Sequence, residues 1–219
     1  MRKRLIFASF IIILFTTFVN QDQIKKDSKL NIKRIYVENS KILSDFEIKN
    51  KLAFLYGKNI LLLQSKTIEE ALSDLKFIDS FQVKKKYPDE IKIKVFEKIP
   101  IAVLQNKKDK FYYTDKDDLV PYILIEKYKN LPVIFGDENN FKVFYSDLEN
   151  INFPIKIIKT YYLFESKRWD LVTQKNQTIK LPSKNYIDSL KNFISLKNSD
   201  NFDKYKLFDY RISGQLILK

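Results

Sequence analysis

The sequence predicts an α+β protein with a single N-terminal transmembrane helix, a small βααββ domain and then a mainly antiparallel β domain with flanking helices. Three observations predict this class. An uncharged apolar run fills residues 5–19, helical and alternating apolar patterns follow one another between residues 31 and 98, and mostly short strand-like runs fill residues 99–219. Because Lys98-Ile99-Pro100 interrupts the patterns, we expect the domain boundary there.

The N-terminal run indicates a membrane anchor. It follows three basic residues, and as a helix it reaches about 22 Å, which is short for a bilayer core of about 30 Å. Since no Ala-x-Ala pattern follows, an uncleaved anchor is favoured over a cleaved signal peptide, and the basic residues keep the N-terminus cytoplasmic. The expected parts are a tail (1–4), an anchor (5–20) and a linker (21–30). The anchoring side chains are Leu5, Ile6, Phe7, Phe10, Ile11, Ile12, Ile13, Leu14, Phe15, Phe18 and Val19.

Composition limits the chemistry that the chain can perform. The 219 residues contain no cysteine and no histidine. Disulfides, the usual zinc and copper ligands and Ser-His-Asp or Cys-His catalysis are therefore excluded. The net charge of +13 comes from lysines scattered among acidic residues, which favours attraction to anionic membrane surfaces over nucleic-acid binding. We expect no catalytic residue, metal site, cofactor, nucleic-acid partner or small-molecule substrate.

Residues 31–98 have the pattern of a βααββ unit. Ser44 and Glu47 have the spacing of a capping box, and a second box is predicted at Thr67 and Glu70. The predicted strands are 31–37, 81–83 and 91–95. The predicted helices carry apolar stripes at Ile48, Leu52 and Leu55, closed by a C-cap at Gly57, and at Ile68, Ala71, Leu72 and Leu75, and a turn is predicted at Tyr87-Pro88-Asp89-Glu90.

Residues 99–219 contain mostly short strand-like runs with helical patterns between them. We expect Trp169 to anchor their core. We expect Asp115, Asp117 and Asp118 to form a solvated turn rather than a cation site, because the spacing and the glycine of a calcium loop are missing. The predicted strands are 101–105, 111–114, 131–136, 155–164, 169–173, 178–181, 207–212 and 215–219, the predicted helices are 140–148 and 186–196, and a tight turn is predicted at Ser213-Gly214.

Motifs in both regions resemble a known family. The first region is similar to a POTRA domain, and one such domain after a signal anchor, followed by the motifs of the second region in this order, resembles the FtsQ/DivIB family of bacterial cell division proteins. The motifs of the first region are Ile35-Tyr36-Val37-Glu38-Asn39, Leu43-Ser44-Asp45-Phe46-Glu47-Ile48, Gly57-Lys58-Asn59-Ile60-Leu61, Lys86-Tyr87-Pro88-Asp89 and Val95-Phe96-Glu97-Lys98-Ile99-Pro100-Ile101-Ala102. Those of the second are Tyr112-Tyr113-Thr114-Asp115, Leu131-Pro132 with Gly136, Arg168-Trp169-Asp170-Leu171 and Asp209-Tyr210-Arg211.

The resemblance implies a scaffold of the division machinery and not an enzyme. It implies a single-pass type II protein of the inner membrane, with most of its chain in the periplasm at the septum. The implied partners are FtsB and FtsL, and the septal peptidoglycan synthase pair FtsW and FtsI. The POTRA domain is implicated in recruitment to the division site. The alternative that stays open is a POTRA-type periplasmic chaperone for outer-membrane or secreted proteins.

The last predicted strand is the candidate partner-binding site, and the resemblance implies that it receives a segment of FtsB by β-augmentation. An edge strand offers unpaired N–H and C=O groups to such a segment. Alternation puts Leu216 and Leu218 on one face and Gln215 and Ile217 on the other. The alternative is a terminal strand that only covers its own core, with Arg211 paired to a local acid. The candidate residues are Tyr210, Arg211, Ile212, Ser213, Gly214, Gln215, Leu216, Ile217 and Leu218.

Other polar clusters are weaker candidates. Lys85, Lys86 and Arg34 could form a basic surface that faces lipid or a partner, with plain solvation as the alternative. Nothing in the sequence around Asp147 and Glu149 supports general acid-base work.

Overall fold

The computed structural model describes residues 29–107, 109–197, 202–212 and 214–219. Residues 1–28, which hold the predicted tail, the anchor and most of the linker, lie outside the described residues, as does Ser213. The chain divides into two compact units between Glu97 and Lys98. Within the described ranges, no helix combines the length and the apolar character that crossing a membrane requires.

The first unit has a three-stranded sheet in the order β1-β3-β2, with β1 parallel and β2 antiparallel to the central β3. Two short helices and two 3-10 turns connect β1 to β2, as the βααββ pattern predicts. The elements are β1 Arg34–Glu38, α1 Asp45–Lys51, 3-10 turns Ala53–Leu55 and Ile60–Leu62, α2 Ser65–Leu72, β2 Ile78–Lys86 and β3 Glu90–Glu97.

One of the two predicted capping boxes exists. Ser44 accepts a hydrogen bond from the Glu47 backbone N–H, and the Glu47 carboxylate accepts one from the Ser44 N–H at 3.0 Å. The prediction at Thr67 is wrong, because α2 already begins at Ser65 and its N-cap makes no side-chain hydrogen bond. Gly57 is also not the C-cap of α1, since a 3-10 turn intervenes; its φ of +77° lets its N–H donate to the Ile32 carbonyl.

The main core cluster of the first unit is aliphatic, and Phe77 is buried outside it. The apolar stripes predicted on the helices meet the inward residues of β1 and β3, and this cluster contains no aromatic ring. Its members are Ile32, Ile35, Ile48, Leu52, Leu55, Ile60, Ile68, Leu72, Ile91, Ile93 and Val95.

The second unit has a nine-stranded sheet in the order β12-β11-β10-β9-β8-β7-β4-β5-β6. Five strand pairs are antiparallel, but β4-β7, β7-β8 and β10-β11 are parallel, so the sheet is more mixed than predicted. The elements are β4 Pro100–Asn106, β5 Asp109–Thr114, β6 Leu119–Pro121, β7 Val133–Phe135, α3 Glu138–Asn150, β8 Ile158–Leu163, β9 Trp169–Thr173, β10 Thr178–Lys180, α4 Tyr186–Lys197, β11 Leu207–Asp209 and β12 Ile217–Leu218, with 3-10 turns at Glu126–Tyr128, Ile155–Ile157 and Phe202–Lys204.

The core of the second unit is rich in aromatic rings. Trp169 is only 4% exposed, as predicted, and it stacks on Phe144 of α3 with the ring centroids 4.7 Å apart. Phe193 of α4 makes an edge-to-face contact with Phe208 of β11 at 5.1 Å. Both helices therefore pack on the sheet that carries the last strand, and α4 packs directly on β11.

Candidate partner-binding edge

The last strand lies at one end of the nine-stranded sheet. It is shorter than predicted, because only Ile217 and Leu218 have strand geometry, and within the described residues it pairs with β11 alone. Lys219 continues the ladder: its N–H donates to the Leu207 carbonyl at 3.2 Å and its carbonyl accepts from the Leu207 N–H at 2.9 Å. The strand is thus held on one side only.

The register determines which backbone groups point outward. Leu207 and Lys219 exchange both hydrogen bonds, so Asp209 and Ile217, two residues further on, form the next hydrogen-bonded pair. Leu218 lies opposite Phe208 in a non-hydrogen-bonded pair. The N–H and C=O of Leu218, and by the same alternation those of Leu216, therefore point away from β11 and toward any added strand.

The side chains of the edge follow the predicted alternation. Leu216 and Leu218 are half-buried and pack against the aromatic core, whereas Gln215 and Ile217 are exposed. Ile217 retains 40% of its accessible surface. A strand added here would meet an apolar side chain on each face of the sheet, which is the side-chain pattern that β-augmentation uses for specificity.

Asp209, Tyr210 and Arg211 hold the segment before the edge in place. The Arg211 guanidinium donates to both carboxylate oxygens of Asp209, at 2.8 and 3.0 Å from Nε and 2.6 Å from the terminal nitrogen. This hydrogen bonding lowers the pKa of Asp209. Tyr210 is buried, which raises its pKa, and its hydroxyl donates to Asn192 of α4 at 3.0 Å. Arg211 is therefore paired with a local acid.

The sequence did not reveal the row of charges beside the edge. In the register, Asp170 of β9 lies opposite Lys180 of β10, and Lys180 lies opposite Asp209 of β11. Arg168 donates to Asp170 at 3.1 Å, although burial still raises the pKa of Asp170. The Asp-x-Arg spacing at 209–211 and the Arg-x-Asp spacing at 168–170 could have indicated these two pairs, but the row itself depends on which strands become neighbours.

A groove opens beside the edge, between the start of α4 and the segment that leads into β12. Its volume is about 630 Å³. Tyr210, Arg211, Ile212, Gly214, Gln215 and Leu216 line one wall, so the structure brings together all but two of the described candidate residues around it. The other wall is formed by Pro182, Ser183, Lys184, Asn185, Asp188, Ser189 and Asn192.

The other candidate clusters have structural partners. The turn at 115–118 is more than solvated: Asp115 accepts from the Ile99 N–H at 2.7 Å, Asp117 from the Tyr113 hydroxyl at 2.8 Å, and Asp118 from Thr114 and Lys98. The Asp147 carboxylate accepts from the Tyr186 hydroxyl. Over the described ranges, no group of three or more acidic, histidine or cysteine side chains could hold a metal ion.

The three residues of the predicted basic surface lie on two strands: Lys86 lies opposite Glu90 of β3, as Arg34 does from the other side, whereas Lys85 lies opposite Ile91. Arg34 lies on β1, where it pairs with Asp89 at 3.0 Å and with Glu90 at 2.5 Å. Lys85 lies on β2, on the other side of β3, and donates instead to the carbonyls of Leu61 and Leu63. These two residues therefore have different neighbours.

Comparisons with known proteins agree with the fold of the first unit. The sequence model of the protein family "POTRA domain, FtsQ-type" matches residues 30–98. Cell division protein FtsQ of Rickettsia typhi is 26% identical over 193 residues, which cover 86% of this chain and 72% of that protein. FtsQ of Rickettsia bellii is 27% identical over 186 residues (82% and 68%), and FtsQ of Blochmanniella floridana is 27% identical over 160 residues (63% and 55%).

A solved structure also aligns with part of the chain. It is the major extracytoplasmic domain of the trans isomer of the bacterial cell division protein DivIB from Geobacillus stearothermophilus, at 11% identity and a TM-score of 0.32. The alignment covers 46% of this chain and 91% of that one. Because this TM-score is low, the similarity to known proteins is drawn from the sequence relatives and the domain match alone.

Proposed function

We propose that this chain, which belongs to the FtsQ/DivIB family of cell division proteins, is a bitopic scaffold of the division machinery that receives a partner strand on β12. In this proposal the apolar N-terminal run anchors the chain in the inner membrane, most of the chain lies in the periplasm at the septum, and no reaction is catalysed. The partners are FtsB and FtsL, and through them FtsW and FtsI.

The observation that carries this proposal is the one-sided pairing of the last strand. The backbone groups of Leu216 and Leu218 point outward, and a partner strand would satisfy them by continuing the sheet. The aromatic core and the Tyr210–Asn192 hydrogen bond hold β11 in position beneath it. A preorganised edge favours binding, because less conformational entropy is lost when the partner adds to it.

The opposite end of the same sheet is blocked, which supports a single docking edge. The backbone N–H of Tyr122 donates to the Lys110 carbonyl. Because alternate residues of an antiparallel strand bond to the same neighbour, the backbone groups of Val120 point toward β5 and those of Pro121 point away from it. Proline has no N–H to offer at this outward position, and proline on an edge strand discourages pairing with another chain. The sheet is therefore open for extension at β12 and protected at β6.

The decisive experiment measures binding of the FtsB ectodomain from the same genome to the purified chain. Leu218→Pro removes an outward N–H without touching the ladder to β11, and we expect binding to be lost. Leu218→Ala is the matched control, because it removes the same side chain and keeps the N–H. We expect Leu218→Ala to bind within about tenfold of the unchanged protein, or about 1.4 kcal/mol.

Equal affinity of the Leu218→Pro and Leu218→Ala variants would overturn the edge assignment. Ile217→Pro is a second probe, since it removes a donor directed at β11 and should detach the strand itself. In cells, depletion of the protein should give filaments that fail to septate. A loss of outer-membrane proteins with normal septation would instead indicate the chaperone alternative.

A further inference from the structure

One end of the first unit carries a cluster of exposed apolar side chains. We call it the POTRA tip; it consists of the connection between α1 and α2 and the turn between β2 and β3. Ile60 in this connection is fully buried, but its neighbours Leu61 and Leu62 are 54% and 79% exposed. The other exposed members are Phe54 (40%), Tyr56 (46%) and Tyr87 (60%).

The tip is rigidly attached to the point at which the chain enters the unit. The Ile32 N–H donates to the Lys58 carbonyl, and the Ile60 N–H donates to the Leu30 carbonyl, each at 2.9 Å. The Lys33 N–H donates to the Asp89 carbonyl, which brings the β2-β3 turn to the same end. The N-terminal segment therefore joins the unit at the tip.

The length of that segment keeps the tip near the predicted membrane anchor. The apolar run ends at Val19, and ten residues separate it from Leu30. Fully extended, ten residues reach about 35 Å. If the anchor lies in a bilayer, as the proposed function requires, the tip is held within about 35 Å of the lipid surface.

The charges at the tip suit an anionic surface. The ammonium group of Lys85 donates to the carbonyls of Leu61 and Leu63 at 3.3 and 3.0 Å, so its positive charge is not neutralised there. Lys58 lies 4.8 Å from the centroid of the Phe54 ring. The acids at this end, Asp89 and Glu90, are already paired with cations: Lys33 and Arg34.

The far end of the same unit provides the contrast. It is about 23 Å away, the length of the eight-residue strand β3. The Glu97 carboxylate there accepts the backbone N–H groups of residues 41–43, and α1 begins with an acidic residue. Phe46 is 72% exposed at this end, but it is a single exposed ring and not a cluster.

We propose that the POTRA tip docks on the anionic surface of the membrane that holds the anchor. Aromatic and apolar side chains flanked by lysines are the composition that partitions into a lipid interface, and anionic lipid attracts the lysines. Docking would fix the orientation of the first unit on the bilayer. The proposal rests on the proposed function only for the presence of the anchor, and strand addition at β12 does not depend on it.

The experiment uses the full chain in vesicles of phosphatidylglycerol and phosphatidylethanolamine that contain nitroxide-labelled lipid. Because the chain has no cysteine, Leu62→Cys and Phe46→Cys each place one NBD fluorophore at a chosen end. We expect lipid nitroxides to quench NBD strongly at position 62 and to leave it unquenched at position 46. Tyr87→Cys repeats the measurement at the tip if Leu62→Cys fails to fold.

A charge variant tests the role of anionic lipid. Lys58→Glu should reduce quenching at position 62, and so should replacing phosphatidylglycerol with phosphatidylcholine. Lys41→Glu is the matched control, because it makes the same charge change at the exposed far end and should have no effect. None of these variants should change binding of the FtsB ectodomain.

Each other outcome overturns the proposal in a recognisable way. Vesicle-bound protein with unquenched NBD at position 62 rejects docking and leaves the anchor intact. Equal quenching at positions 46 and 62 rejects an oriented tip. A chain that does not float with the vesicles rejects both docking and the anchor, and with it the membrane part of the proposed function.

Discussion

The two units of this chain fill their hydrophobic cores with different kinds of side chain. The main core cluster of the first unit buries only isoleucine, leucine and valine, with Phe77 buried outside it, whereas that of the second contains stacked and edge-to-face rings from α3, α4 and the sheet. A three-stranded sheet under two short helices needs only aliphatic volume. A nine-stranded sheet beneath longer helices has more space to fill, and each aromatic ring buries 150–250 Å², roughly.

The difference also concerns polar groups. Several core tyrosines of the second unit carry a hydroxyl that must find a partner when it is buried. Tyr113 donates to Asp117 and Tyr210 to Asn192. Among the described residues, the Tyr161 hydroxyl has none. The second unit therefore gains rigidity beneath the proposed docking edge and becomes sensitive to alkaline pH, and the following predictions test this contrast.

The largest effect is expected for the aromatic stack. Phe144 is 1% exposed and lies against Trp169, so Phe144→Ala should lower the unfolding free energy by about 3–5 kcal/mol. Trp169 is the single tryptophan of the chain, and its fluorescence during denaturation follows the second unit. Val143→Ala, on the same helix but 62% exposed, should change the value by less than about 0.5 kcal/mol. Equal effects would contradict the stacked core.

Glycine to alanine substitutions should be unfavourable in the two units for different reasons. A Cβ at Gly136 would lie 2.9 Å from the Leu163 Cβ, so Gly136→Ala should cost about 1–3 kcal/mol through overpacking. At Gly57 nothing lies within 4 Å, and the cost of about 1–2 kcal/mol comes from the φ of +77°.

Asparagine separates these two causes, because it tolerates positive φ but adds volume. Gly57→Asn should be milder than Gly57→Ala, and Gly136→Asn should be worse than Gly136→Ala. Thermal denaturation of the four variants ranks their stabilities. If alanine and asparagine rank in the same order at both sites, either overpacking at Gly136 or positive φ at Gly57 is the wrong explanation.

Alkaline pH should destabilise the second unit. Burial raises the pKa of Tyr161 well above its ordinary value of 10. Below about pH 10 the tyrosine is protonated in the folded and the unfolded protein, and its contribution to stability is fully present. Above this pH the tyrosine ionises first in the unfolded protein. The unfolding free energy therefore falls by about 1.4 kcal/mol per pH unit for this residue. Tyr161→Phe should make the unfolding free energy less dependent on pH in this range. At pH 7 it should not destabilise the protein, because the hydroxyl that it removes has no hydrogen-bond partner among the described residues. A slope unchanged in Tyr161→Phe would refute this.

The smallest effect concerns the helix start in the first unit. Ser44→Ala removes a capping hydrogen bond and should cost about 1 kcal/mol. Thr67→Ala is the control, because Thr67 lies inside α2 and caps nothing in the structure. Hydrogen exchange should be faster in α1 of the first variant and unchanged in α2 of the second.

Local patterns in the sequence predicted much of the fold. The apolar stripe at Ile48, Leu52 and Leu55, the box at Ser44 and the alternation of β3 depend on residues within one or two turns of each other, so they could be recognised directly. Family motifs identified the first unit as a POTRA domain, and the FtsQ-type domain match at residues 30–98 confirms this. The boundaries of the candidate edge were less accurate, because strand ends depend on which partner is present.

The sequence by itself determined the types of most elements, the place of Trp169 in the core of the second unit, and the alternation of Leu216 and Leu218 with Ile217. The tertiary structure alone decided that β7 inserts in parallel between β4 and β8, that Pro121 blocks the opposite edge, and that Leu61, Leu62 and Tyr87 share one end of the first unit. The physical reason is that side-chain periodicity is encoded locally, whereas strand order and register depend on hydrogen bonds between residues far apart in the chain.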